Sequence, residues 1–147
     1  MSHRSDRPSP SSLEASKRMR KVRQKGTRME LELRSALHRS GLRFRVQLVL
    51  LAGSRRRADI VFSRERVAVF VDGCFWHGCP LHGTRPKRNA NWWGEKLAKN
   101  RERDEDTNDL LGKSGWVVLR IWEHEDVLRA ALQVREVVLR RRVTLKI

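Results

Sequence analysis

The sequence predicts one α/β domain, a mixed sheet with helices on both faces. Three observations carry this. Two apolar runs, Ala58–Phe62 and Val67–Val71, are separated only by the polar turn Ser63-Arg64-Glu65-Arg66, a hairpin signature. A third run, Trp116–Trp122, comes after a long polar stretch of helical character. The length of 147 residues fits a single core.

Residues 1–12, rich in Ser, Pro and charge, read as a disordered arm. Residues 13–26 read as a DNA-contacting segment. Their apolar residues, Leu13, Met19 and Val22, are too sparse to bury much, but the segment can order as a basic helix on a phosphate backbone. The domain proper occupies 27–147. Thr27 and Glu30 have capping-box spacing, and Met29, Leu33, Ala36 and Leu37 give one helical apolar face that Gly41 ends. Phe44 and Val46 alternate with arginines, as in a strand. The two hairpin strands are β-branched and almost continuously apolar, which places them centrally. Gly73 to about Asn91 is irregular and rich in Gly, Pro, Cys and His. A helix is expected from about Trp92 to Lys113, stopped by Gly115. A buried strand follows at Trp116–Trp122, then a last helix from Val127 to about Arg142 with a basic tail.

The formal net charge is +16, from 33 Lys+Arg against 17 Asp+Glu. Such a charge on a small chain calls for a polyanion, nucleic acid first. A membrane surface fits poorly, because there is no long apolar run and the basic residues are spread along the chain. A histone-like or ribosomal binder without chemistry satisfies the charge equally well. The polar N-terminus has no secretory h-region, so an intracellular location is expected. There a Cys74–Cys79 disulfide is disfavoured, leaving these thiols free, catalytic or metal-bound.

Cys74, Cys79 and His82 form a C-x4-C-x2-H cluster in a loop with little apolar content. A structural Zn²⁺ would hold such a loop, but wants a fourth ligand. His124, just after the Trp116–Trp122 run, is the best candidate, and His77 competes with it. Chance clustering is the bland alternative.

Asp59 lies inside an apolar strand, and Asp72 ends the strand paired with it. A buried carboxylate needs a partner or a metal. A Mg²⁺ site would meet that need, since Mg²⁺ takes one or two carboxylates plus substrate phosphate oxygens and supplies a bound water. Glu30 and Asp104 are placed to reach the same pocket. Against this, Glu30 is explained by helix capping alone, and Asp104 sits in the charged run Arg101–Asp106 that resembles a solvated helix face. His77 suits a general acid or base, or a structural role. Phe75 and Trp76 in the polar loop, and Trp92 and Trp93 at a helix start, are planar groups suited to wedging between base pairs. One of the two adjacent tryptophans is expected to pack inside. Unstacking is easier at a mispair, so a wedge favours damaged sites.

Together these blocks resemble the very short patch repair (Vsr) endonucleases, from about Glu14 to Val127. The motifs are S16-K-R-M-R, T27-R-M-E, A58-D-I-V, V69-F-V-D-G-C-F-W-H-G-C-P-L-H-G, W92-W-G-E-K-L-A-K-N-R-E-R-D and G115-W-V-V-L-R-I-W-E. The D-G-C-F-W-H block is the most specific. The resemblance implies a restriction-endonuclease-like fold, a catalytic Mg²⁺ and a structural Zn²⁺. The implied reaction nicks one DNA strand 5′ of the T in T:G mispairs left by deamination of 5-methylcytosine. It assigns Asp59 and the Val71 main-chain carbonyl to Mg²⁺, and His77 to the scissile phosphate. Glu30 and Asp104 match acidic positions that support the site; Asp72, read from this sequence itself, would either add a metal ligand or orient His77. The resemblance assigns Cys74, Cys79, His82 and His124 to Zn²⁺, and Phe75, Trp76, Trp93 and Met19 to insertion into DNA. It also implies a functional link to a DNA cytosine-5 methyltransferase and to mismatch-repair proteins. A nucleoid-associated cytoplasmic location and a monomer are expected, although the sequence itself does not encode the oligomeric state. Three positions depart from the family pattern. Asp72 stands where the best-known member has a histidine, Ala58 replaces a proline, and His124 replaces a usual cysteine. Rival readings are a restriction-type or structure-specific nickase of the same fold, and a zinc-stabilised DNA binder without catalysis.

Overall fold

The computed structural model describes residues 27–74 and 89–147. The segments read as the N-terminal arm and its basic continuation, with Met19, lie outside them. So do Phe75, Trp76, His77, Cys79 and His82.

The first helix, α1 (Arg28–Arg39), starts where the capping signal places it: the Thr27 hydroxyl accepts the Glu30 N–H. Met29, Leu33, Ala36 and Leu37 are buried on one face. Gly41, at φ +83°, lets the chain turn so that Leu42 N–H bonds back to the Leu37 carbonyl, a Schellman closure with Leu42 itself buried.

Four strands follow the order β1 (Arg45–Val49), β2 (Arg57–Phe62), β3 (Val67–Asp72) and β4 (Val117–Trp122) across one sheet. β1 with β2 and β2 with β3 are antiparallel, while β3 with β4 is parallel. The crossover between β3 and β4 carries α2 (Ala90–Lys113), and α3 (Val127–Leu145) closes the described chain. A parallel neighbour requires such a crossover, because a tight turn only reverses the strand.

As expected, β2 and β3 are central and almost wholly buried. α1 and α3 cover one face, joining Leu33, Leu37, Val134 and Val138 to Ile60, Phe62, Val69 and Ile121. On the other face Leu111 of α2 joins Ala58, Val61, Ala68 and Phe70. The expected buried strand at Trp116–Trp122 is corrected in one respect. β4 begins at Val117 and only Ile121 is fully buried, because β4 lies at an edge of the four described strands. α2 starts at Ala90, two residues earlier than expected, and α3 runs three residues further, to Leu145. No helix of the described residues is long and apolar enough to cross a membrane.

The topology also sets where chemistry can gather. The β2–β3 ladder pairs Phe62↔Val67, Val61↔Ala68 and Ile60↔Val69, and ends before Asp59. Near Asp59 the antiparallel start of β2 meets the end of β3, and parallel pairing brings the end of β4 there as well.

Candidate active site

Asp59 is fully buried. Beyond the last β2–β3 pair its carboxylate takes the place of a strand carbonyl: Oδ2 accepts the Val71 N–H at 2.7 Å. Oδ1 accepts from the Gln47 side-chain nitrogen at 2.9 Å. The same Gln47 nitrogen donates to Glu30 Oε1 at 2.6 Å. Glu30, 1 % exposed, also pairs with Arg34 one turn along α1. Capping therefore accounts for only part of Glu30. Its backbone N–H serves the cap, while its carboxylate turns inward to the strand residue Gln47.

Gln47 occupies the left-handed region, at φ +53°, within β1. The ladder pairs Val46↔Ile60 and Leu48↔Ala58 on either side of it and skips Gln47–Asp59. A non-glycine residue in that region costs roughly 1 kcal/mol or more and persists only where its surroundings hold it.

The second acidic group lies at the end of β3. Asp72, 5 % exposed, pairs with Arg120 of β4 at 2.9 Å. The same guanidinium reaches Asp104 Oδ1 at 3.5 Å, donates through Nε to Asn108 Oδ1 at 2.8 Å, and lies 4.3 Å from the Phe70 ring centroid. Asp104 thus faces Arg120 rather than being only a solvated helix charge. The register Phe70↔Arg120 and Asp72↔Trp122 explains the clamp, since Arg120 lies beside β3 within reach of α2.

Parallel pairing brings the loops after β3 and β4 together. Cys74 N–H donates to Glu123 Oε1 at 3.0 Å, and Cys74 Sγ lies 3.2 Å from His124 Nδ1. Thiolate and imidazole ligands of one tetrahedral Zn²⁺ stand ~3.5 Å apart, so this pair fits two corners of such a site. The donor chemistry separates cleanly. Sulfur and nitrogen meet at Cys74–His124, while the carboxylates of Glu30 and Asp59 are bridged by the Gln47 amide and offer the oxygen donors that a hard cation such as Mg²⁺ takes. A carboxylate has about four acceptor positions, so the Gln47 and Val71 bonds are compatible with a metal at Asp59.

The family model described as DNA mismatch endonuclease Vsr matches residues 11–82. The Type II nicking enzyme V.NaeI of Lentzea aerocolonigenes is 45% identical over 129 residues, 86% of this chain and 78% of that protein. The Type II nicking enzyme V.XorIIP of Xanthomonas oryzae pv. oryzae is 41% identical over 121 residues, 80% and 85% of the two chains. The DNA mismatch endonuclease Vsr of Escherichia coli is 41% identical over 110 residues, 74% and 68%.

The chain belongs to the Vsr family of DNA mismatch endonucleases.

Within this Vsr-family chain, Glu30, Asp59, Asp72, Asp104, Cys74 and His124 line one end of the sheet. Trp93 is 8 % exposed and meets Trp92 edge-on at 4.7 Å. The buried member of the pair is therefore Trp93, whereas the resemblance marks it for insertion into DNA. Trp92, with Lys96 over its ring at 5.9 Å, is the more exposed member.

Reasoning from sequence missed Gln47, Arg120 and Asn108. Arg120 carried a readable signal, being a charge inside the apolar run W-V-V-L-R-I-W, just as Asp59 is in A-D-I-V-F. Gln47 carried none, because a polar residue between Val46 and Leu48 looks like the outer face of a strand.

Proposed function

We propose that this Vsr-family endonuclease nicks one strand of duplex DNA 5′ of the T in a T:G mispair, in a Mg²⁺-dependent reaction. The observation that carries the reading is the buried Asp59 carboxylate, oriented by Gln47 and Val71 beside a second buried carboxylate, Glu30. Glu30 also pairs with Arg34, so in a chain of charge +16 Asp59 is the carboxylate suited to a cation facing phosphate. Asp59 and the Val71 carbonyl would hold Mg²⁺, which supplies an activated water and charge neutralisation at the phosphodiester. His77 would hold or move the proton at the scissile phosphate. Asp72 is best read as a group that orients His77 rather than a metal ligand, because Arg120 already balances its charge. Zn²⁺ on Cys74, Cys79, His82 and His124 would shape the loop that carries His77, Phe75 and Trp76. Phe75, Trp76, Met19 and one of the Trp92–Trp93 pair would test the softness of the base pair.

The decisive assay compares nicking of duplexes that differ only in T:G against T:A or C:G at one position, with Mg²⁺ and with EDTA. Cutting confined to T:G with Mg²⁺ supports the reading. A second reading, a nickase that does not need a mispair, is favoured by the Type II nicking enzymes among the relatives. Equal cutting of paired DNA would establish it instead.

A further inference from the structure

The proposed mechanism uses Gln47 only as one hydrogen-bond donor to Asp59, yet its amide stands between both buried carboxylates. One nitrogen donates to Glu30 Oε1 at 2.6 Å and to Asp59 Oδ1 at 2.9 Å. An amide nitrogen has two hydrogens, enough for one bond to each carboxylate. The backbone is held in the left-handed region to achieve this, at a position the β1–β2 ladder skips.

We propose that Gln47 is a positioning residue for the metal-dependent reaction. Its neutral amide holds Glu30 and Asp59 at a set spacing, so that Asp59 meets the divalent cation already oriented. This rests on the reading of Asp59 as the Mg²⁺ ligand. Few side chains can do the task. Lys or Arg would bond the same oxygens but cancel the charge that attracts the cation. Glu would add a third carboxylate where repulsion is already strong. An alkyl group would take a donor from each buried carboxylate. The amide donates to both carboxylates and adds no charge of its own, while Glu30 pairs separately with Arg34. Val71 N–H holds the other oxygen of Asp59, so the carboxylate is fixed from two sides.

The test uses Gln47→Gly, Gln47→Asn and Gln47→Glu, with Asp59→Ala as reference. Gly and Asn tolerate the left-handed backbone, but neither can span both carboxylates. Three quantities are read: Mn²⁺ affinity by calorimetry without DNA, the Mg²⁺ concentration for half-maximal nicking, and the melting temperature in EDTA. The expected result for Gly and Asn is a loss of about tenfold in metal affinity and a matching rise in the Mg²⁺ requirement. DNA affinity without metal stays unchanged, and most of the rate returns at saturating Mg²⁺. Gln47→Glu is expected to be more damaging than either. Native metal affinity and native Mg²⁺ dependence in both variants would overturn the proposal. So would a lowered melting temperature with unchanged metal affinity, or failure of both variants to fold, since either makes Gln47 purely structural. Full nicking by Asp59→Ala would instead sink the metal reading itself, whatever Gln47 does.

Discussion

Two acidic pairs flank the end of β3, and the fold treats them differently. Glu30 and Asp59 share the neutral amide of Gln47, whereas Asp72 and Asp104 share the guanidinium of Arg120. In the first pair the bridge is neutral, and Glu30 pairs separately with Arg34. In the second the bridge balances charge and ties β3, β4 and α2 together. Acidic residues at similar depth therefore suit different tasks, and the bridging side chain decides which.

Four experiments would break or sharpen that contrast. The largest effect is expected for Asp59→Ala, a fall in nicking rate of at least about a thousandfold, with DNA binding in EDTA retained. A gel-shift and single-turnover assay reads both, and a mild defect would erase the distinction between the two pairs. Next comes Cys74→Ser or His124→Ala, which places a third donor pair beside the acidic ones. Loss of bound zinc by elemental analysis, with a lowered melting temperature, is expected, since zinc binding is coupled to folding. A full zinc complement in both variants would rule out the site. Arg120→Ala should then cost about 3 kcal/mol in urea unfolding, because Asp72 loses its buried partner. The double variant Arg120→Met with Asp72→Leu should recover part of that loss, whereas no recovery would mean Arg120 works mainly through Phe70 and Asn108. The smallest effect is Thr27→Ala, about 1 kcal/mol from the lost N-cap. Its Mg²⁺ requirement should stay native, since Glu30 keeps Gln47 and Arg34.

Much of this was legible in the sequence, and for identifiable reasons. Continuous apolarity at Ala58–Phe62 and Val67–Val71 marks strands covered on both faces. Thr27 and Gly41 bracket α1 through local hydrogen bonding. Asp59 is conspicuous because an ionised carboxylate is costly inside an apolar run. The partial burial of β4 was not legible, since its apolar residues look the same at an edge as at the centre. Asp104 was ambiguous in a run of charges, because only the packing of α2 beside β4 selects which member faces Arg120.

By itself the sequence determined the elements, the family and the chemical types of the donors, because these depend on local periodicity and residue chemistry. Tertiary structure decided which donors meet. Cys74 and His124, fifty positions apart, touch because parallel strands end together. Gln47 reaches both Glu30 and Asp59 because the β1–β2 ladder skips it and its backbone turns left-handed, a geometry set by pairing across strands rather than by its neighbours in the chain.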